Sequence, residues 1–248
     1  MEASSGKAMP AGCLFDLDGL LLDTEPLHGQ AWAEAVGQFG GSASTELLLQ
    51  LRGRNKFDNA SGLIEALKLP VSVEQLLAVQ QPLARAKVRQ AQAMPGAEWL
   101  VQRLRSAAVP MAIATSSGRE AVEIKLAPHR WLQSIAVRVH GDDPEIQQGK
   151  PAPDLFIEAA RRLDLDPRQC WAFEDSQAGA QAALSAGCRV FVVPAEGLSR
   201  SDYPSAVHWL ESLSETPSIS SKSIRPGGTA GSRDRPSHRW LECRGDCR

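Results

Sequence analysis

The sequence has no surplus of charge: 27 lysines and arginines stand against 29 acidic residues, a net of −2. Without a basic field, nothing draws the chain as a whole to nucleic acid or to an anionic membrane surface. No apolar run reaches the ~18–20 residues that a membrane-spanning helix needs. Residues 1–12 contain neither the apolar stretch of a secretory signal nor the arginines of a transit peptide, so a cytoplasmic location is expected. Cysteine is sparse as well. Cys13, Cys170, Cys188, Cys243 and Cys247 form no CxxC pair and no disulfide framework, which argues against structural zinc and a stapled secreted scaffold. No long heptad pattern is present, and a monomer is expected.

What is present is enough apolar material, 43% of 248 residues, for one large domain or two small ones. Short apolar runs at 11–15, 110–114, 135–139, 170–173 and 189–193 predict strands. Between them, 97–107, 155–163 and 177–186 carry apolar residues at helical spacing, and Gly187 is a stop signal. Repeated strand–helix units with near-continuous apolar strands predict an α/β fold, a parallel sheet covered by helices on both faces.

One block breaks the alternation. Residues 26–93 show helical patterns and no strand: Ala31, Trp32, Ala35, Val36 and Phe39 share a face, and 73–92 reads as a longer helix. Bounded by Glu25-Pro26 and Met94-Pro95-Gly96, this block reads as an inserted α-helical cap, with the core in 9–25 and 94–213. The alternative is that these helices pack directly on the sheet. From Ser214 onward Ser, Pro, Gly and Arg dominate, and 214–248 is expected to be a disordered tail.

The chemistry concentrates at strand ends. Phe15-Asp16-Leu17-Asp18-Gly19 delivers two carboxylates directly off an apolar strand, where ligands of parallel sheets bind. Two such acids repel unless a cation or substrate shares the site, although acids in a turn can also be loop or capping residues. Thr115-Ser116-Ser117-Gly118 brings hydroxyls and free N–H groups to a helix start, a natural phosphate cradle. Lys150 precedes a helix opened by prolines; alone it would read as a surface lysine. Glu174 and Asp175 end another strand and could equally cap the next helix. Together, two acid pairs, a hydroxyl and a lysine at four strand ends are what magnesium-assisted phosphoryl transfer needs.

At these residues the chain resembles the haloacid dehalogenase superfamily, specifically phosphohydrolases with a small helical cap after the first motif. Phe15–Asp18 with Asp23-Thr24-Glu25 resembles the first motif, Thr115 the second, Lys150 the third and Glu174-Asp175 the fourth. Within the superfamily, Met94-Pro95-Gly96-Ala97-Glu98 and Gly141-Asp142-Asp143-Pro144-Glu145 are similar to pseudouridine-5'-phosphatases and glycerol-3-phosphate phosphatases. His28, Trp32 and the loop around Gly53 are also similar to β-phosphoglucomutases.

The resemblance implies a modified Rossmann core, Mg²⁺ and an aspartyl-phosphate intermediate. It assigns Asp16 as nucleophile and Asp18 as general acid, then base. Mg²⁺ would be held by the Asp16 carboxylate, the Asp18 backbone carbonyl and Asp175, with Glu174 acting through water. Thr115, Ser116 and Lys150 would grip the phosphoryl oxygens of a small phosphorylated metabolite. The cap would read the substrate through His28, Arg52, Gly53, Arg54, Asn55 and Lys56, or those basic residues are simply a solvated helix end.

Three alternatives are weighed. A dehalogenase would not need Asp18. A sugar-phosphate mutase would share every core motif but needs an additional cap lysine, for which Lys87 is the nearest candidate. A non-catalytic protein binding partners through its basic tail would have no use for Asp16, Asp18, Lys150 and Asp175 together.

Overall fold

The computed structural model describes residues 9–49, 51 and 56–217. Its centre is a six-stranded, wholly parallel sheet. In chain order the strands are β1 (Gly12–Phe15), β4 (Met111–Ala114), β5 (Val137–Val139), β6 (Cys170–Glu174), β7 (Arg189–Val192) and β8 (His208–Trp209), and their spatial order is β5-β4-β1-β6-β7-β8. Two further short strands, β2 (Leu22–Asp23) and β3 (Gln92–Ala93), pair antiparallel beside it.

Alternation of side chains explains why the core strands are apolar throughout. Cys13 and Phe15 of β1 face one apolar layer with Trp171, Phe173 and Phe191, while Leu14 faces the other with Cys170, Ala172, Val190 and Val192. The aromatic rings stack across neighbouring strands: Phe15 on Phe173 at 4.9 Å and Phe173 on Phe191 at 5.3 Å between centroids. Helix α5 (Ala97–Ser106) covers the first layer with Leu100, Val101 and Leu104. Helices α7 (Asp154–Arg162) and α8 (Gln177–Ser185) cover the second with Leu155, Phe156, Ala159, Ala180 and Ala183. Helix α6 (Arg119–Leu126) adds Val122 and Leu126 to the first.

Between β2 and β3 lie four helices: α1 (Glu25–Gln38), α2 (Thr45–Leu49), α3 (Lys56–Leu67) and α4 (Val73–Val88). They share an apolar cluster distinct from both sheet layers, built on Trp32, Ala35, Val36, Leu63, Leu76 and Leu77. Helix α4 starts with a capping box, the Ser72 side chain accepting from the Gln75 N–H and Gln75 answering to the Ser72 N–H.

Several boundaries differ from the sequence expectation. The strand expected over 135–139 is only Val137–Val139, because 130–134 form a 3₁₀ turn that carries into Ile135. The helix expected over 73–92 ends at Val88, and Gln92–Ala93 turn into β3. Too short to show a period of two, β2, β3 and β8 are invisible to pattern reading. The chain also stays packed slightly beyond the expected tail start at Ser214. Leu213–Glu215 form a 3₁₀ turn, Thr216 is buried, and its hydroxyl donates to the Leu213 carbonyl at 2.7 Å. Residues 218–248, the rest of the expected tail, lie outside the described residues. Among the described residues no helix is long and apolar enough to cross a membrane.

Candidate active site

The strand order places the site. Strand β1 lies between β4 and β6: the chain runs from β1 through β4 to β5 at one edge, then crosses to β6, β7 and β8 on the other side, and the order reverses at the carboxyl end of β1. Asp16 extends β1 into the crevice at that reversal, its N–H donating to the Phe173 carbonyl at 3.0 Å. Thr115 extends β4 in the same way, its N–H donating to Val139 at 3.1 Å. Glu174 and Asp175 end β6.

Glu174 is fully buried. One of its oxygens accepts from the Lys150 ammonium at 2.5 Å; the other accepts from Asp175 N–H (3.1 Å), Ser176 N–H (3.2 Å) and Ser176 Oγ (3.0 Å). The Ser176 hydroxyl also accepts from the Gly179 N–H at 3.0 Å, so it is the side-chain cap of α8. With that helix end satisfied, the Asp175 carboxylate is left to the site rather than spent on capping. Lys150 also bonds Asp16, and its ammonium lies 5.2 Å from the Phe156 ring centre. The loop before it is fixed by Asp154, which accepts from the Gln147 and Gln148 N–H groups at 3.1 and 3.0 Å.

Two glycines make room for these acids. Gly19 has φ +82°, and a Cβ there would lie 2.2 Å from an Asp175 carboxylate oxygen. At Gly179 a Cβ would lie 1.8 Å from a Glu174 oxygen. The carboxylates therefore approach backbone that has no side chain to repel them.

Asp16, Glu174 and Asp175 each offer an oxygen, and the three lie within 4.8 Å of one another. Burial, with repulsion from Glu174 and Asp18, raises the Asp16 carboxyl to about 7 against the pull of Lys150. Burial, then Glu174 and Asp16, raise Asp175 well above the ordinary carboxylate range. Adding Asp18, the pocket gathers four carboxyl groups beside the ammonium groups of Lys150 and Lys125, and mutual repulsion among the acids is part of what raises Asp16 and Asp175. Burial lowers the His28 pKa from 6.5 against the pull of Asp18. Three hard oxygen donors this close together suit a divalent cation of the Mg²⁺ kind, whose charge would offset the repulsion between them.

Asp18 is held differently from the other acids. Its two oxygens accept from Thr24 Oγ1 (2.7 Å), Ser117 Oγ (2.8 Å) and Lys125 Nζ (2.6 and 2.7 Å). Burial pushes its carboxyl upward, but the Lys125 charge, with His28 and Thr24, outweighs burial and keeps it well below the ordinary range.

Thr115 is buried and its hydroxyl accepts from the Ser117 N–H at 3.1 Å, which shapes the expected phosphate loop. Ser116 is exposed on that loop. His28, on α1, places Nε2 4.0 Å from Asp18. Lys56 opens α3 on the exposed surface with its ammonium 5.4 Å from the Phe57 ring centre. Arg52, Gly53, Arg54 and Asn55 lie outside the described residues.

Lys125 and Tyr203 were missed by sequence reading. Lys125 is 2% exposed on the buried face of α6 formed with Val122 and Leu126, so a lysine interrupting an apolar stripe was its signal. Tyr203 is buried, donates its hydroxyl to the Asp175 carbonyl, and accepts from the Ala195 N–H at 3.3 Å. Nothing local in the sequence marks it.

Residues 10–187 match the family model described as haloacid dehalogenase-like hydrolase. The chain belongs to that family. Among its relatives, the "Probable pseudouridine-5'-phosphatase" of Drosophila melanogaster is 41% identical over 207 residues, covering 82% of this chain and 90% of the relative. The "(DL)-glycerol-3-phosphatase 1, mitochondrial" of Arabidopsis thaliana is 33% identical over 207 residues, covering 79% and 68%. Among solved structures, CbbY from Rhodobacter sphaeroides in complex with phosphate superposes with a TM-score of 0.72 at 26% identity, covering 84% of this chain and 96% of that one. The fold is therefore the α/β core of this haloacid dehalogenase-like family. The named relatives are phosphatases, in keeping with a phosphoric monoester hydrolase.

Proposed function

We propose that the chain is a Mg²⁺-dependent phosphatase that hydrolyses a small phosphate monoester, of a sugar, polyol or nucleoside, through a phosphorylated Asp16. The observation that carries this reading is the buried meeting of Asp16, Glu174, Asp175 and Lys150 at the ends of β1 and β6. Phosphatases of pseudouridine phosphate and glycerol phosphate among the relatives support the substrate class.

In the first half-reaction an Asp16 oxygen attacks phosphorus in line. The ester P–O bond breaks, and the departing alkoxide takes from Asp18 the proton that Asp18 gained from water in the preceding turnover. In the second half, a water oxygen attacks the same phosphorus. The P–O bond to Asp16 breaks, restoring its carboxylate, and Asp18 takes back a proton from the water. Thr115, Ser116 and Lys150 hold the phosphoryl oxygens, Lys150 neutralising part of their charge. Mg²⁺ held by Asp16, Asp175 and the Asp18 backbone carbonyl, with Glu174 through water, would screen the anionic nucleophile from the anionic ester. The cap, residues 26–93, covers the crevice and selects the leaving group, with His28 nearest the chemistry. Location in the cytoplasm and action as a monomer belong to the same reading.

A sugar-phosphate mutase would use the same core. Lys87, the nearest candidate for a lysine holding a second phosphate, is engaged by Glu34 at 2.9 Å within the cap, which favours hydrolysis.

The test is a screen of phosphate esters with Mg²⁺, including pseudouridine monophosphate, glycerol phosphate and hexose phosphates, that measures free phosphate and isomerised sugar. The expected result is phosphate release that chelation stops reversibly and that Asp16→Asn lowers by about 10⁴-fold or more. Turnover that survives Asp16→Asn or chelation would overturn the mechanism, and isomerised product would replace hydrolase with mutase.

A further inference from the structure

We propose that Lys125, a residue outside the four motifs, is a positioning residue that fixes the Asp18 carboxylate against the phosphate loop and so sets the geometry of proton transfer. The inference rests on the acid–base reading of Asp18 given above, and extends it to a side chain that touches neither substrate nor metal.

An ammonium has three N–H donors and no acceptor. Here all three have partners: Asp18 Oδ1 at 2.6 Å, Asp18 Oδ2 at 2.7 Å and Ser117 Oγ at 2.8 Å. The side chain is 2% exposed, and its stem lies on the α6 face that also carries buried Val122 and Leu126. Packing thus fixes the stem while three short hydrogen bonds fix the head. A lysine serving only to balance charge could do so from solvent, without such a path.

Consequences reach both sides of the crevice. By accepting from Lys125, Ser117 Oγ is turned so that its own proton goes to Asp18 Oδ2 at 2.8 Å. Ser117 follows Thr115 and Ser116, so one ammonium links the acid–base group to the loop that grips phosphate. On the other oxygen, Thr24 Oγ1 donates at 2.7 Å from the residue immediately before the first cap helix. Asp18 is held between the cap junction and the phosphate loop, and Lys125 is the group common to both of its oxygens. The arrangement is that of the second half-reaction, in which an ionised, oriented Asp18 receives a proton from water. In the first, the Asp18 that delivers a proton to the leaving group is the protonated form left by the preceding turnover, still held by Lys125 through its other oxygen.

Lys125→Met keeps an unbranched stem of similar length and removes the charge and donors. In the full chain with Mg²⁺, kcat and KM on p-nitrophenyl phosphate and glycerol phosphate are measured, with inhibition by inorganic phosphate and calorimetric Mg²⁺ affinity. Asp18→Asn is run in parallel. The expected result is a kcat lowered about 10²-fold or more, the scale of misplacing an acid–base group. Phosphate inhibition and Mg²⁺ affinity should stay within about twofold, and Lys125→Arg should recover about tenfold of the lost kcat.

Wild-type-like kcat in Lys125→Met, with Asp18→Asn inactive, would overturn the inference and leave the role of Asp18 standing. Equal weakening of kcat, phosphate binding and Mg²⁺ binding would also overturn it, by reducing Lys125 to a general support of the fold. An active Asp18→Asn would remove the acid–base reading and this inference with it. If Lys125→Met does not fold, Lys125→Arg carries the test alone: its bulkier head must lower kcat with phosphate inhibition unchanged, and a wild-type kcat would overturn the inference.

Discussion

Replacing Gly179 by alanine adds one methyl group and should cost far more than the same change elsewhere in a helix. The new Cβ would lie 1.8 Å from Glu174 Oε1 and 2.0 Å from its carboxyl carbon, so the carboxylate must withdraw. Withdrawal breaks its contacts with Lys150, the Asp175 N–H and Ser176, all on a side chain with no solvent exposure. Disrupting a buried, hydrogen-bonded ion pair costs about 3–5 kcal/mol. Greater helix propensity of alanine returns up to about 1 kcal/mol, leaving a net loss of about 2–4 kcal/mol. For a domain of this size that lowers Tm by roughly 4–16 °C. Gly62, in the interior of α3, is the control: a Cβ there meets nothing within 4 Å, and Gly62→Ala should raise stability by up to about 1 kcal/mol. Thermal unfolding of both variants by circular dichroism, with calorimetric Mg²⁺ titration, checks the pair. Should Gly179→Ala unfold at the wild-type temperature and bind Mg²⁺ as tightly, the crowding of Glu174 against α8 is not a constraint and the reasoning fails.

Tyr203→Phe deletes one hydroxyl and keeps the ring packed edge-on against Trp209 at 5.5 Å. Loss of the hydrogen bond to the Asp175 carbonyl should cost about 1 kcal/mol of stability and weaken Mg²⁺ binding severalfold, read by unfolding and calorimetry; no change in either would remove Tyr203 as an anchor of that turn. Glu158 is a separate case, away from the chemistry. Hydrogen bonds from Arg161, opposed by burial and helped by Arg162, lower its carboxyl from 4.5 to about 2. A depressed folded-state pKa stabilises above about 4.5 and loses that contribution as pH falls towards about 2. Because Arg161 is mostly exposed, the contribution is about 1 kcal/mol. The stability gap between wild type and Glu158→Gln should therefore narrow as pH drops below 4.5, and a constant gap in denaturant titrations would refute the assignment.

Much of the fold was legible because its signals are local. Continuous apolar runs mark strands buried on both faces, and helical spacing over 26–93 marked the helices there, though it hid the short strand Gln92–Ala93. Asp16, Thr115, Lys150 and Glu174 were legible for a related reason: each follows an apolar run or a proline-bounded loop, and chemistry in a parallel sheet gathers at such ends. The short strands were not legible, since two residues cannot display an alternation. Nor was the assignment of Asp175 and Ser176, because both residue types cap helices and only geometry shows Ser176 Oγ on the Gly179 N–H.

Read alone, the amino-acid order gives the alternation of strand and helix, the place of the helical block in the chain and the acids that leave the sheet. Those follow from periodicity and from residue type at an element's end, which are properties of neighbours along the chain. Only the tertiary structure decided which distant groups meet: Lys125 reaches Asp18 across 107 positions, Lys150 reaches Asp16 across 134, and Tyr203 reaches the turn at Asp175 across 28. Those encounters depend on β1 lying between β4 and β6 and on α6 packing its one buried lysine inward. Hydrogen bonds and desolvation act over a few ångströms of space, whatever the separation along the chain.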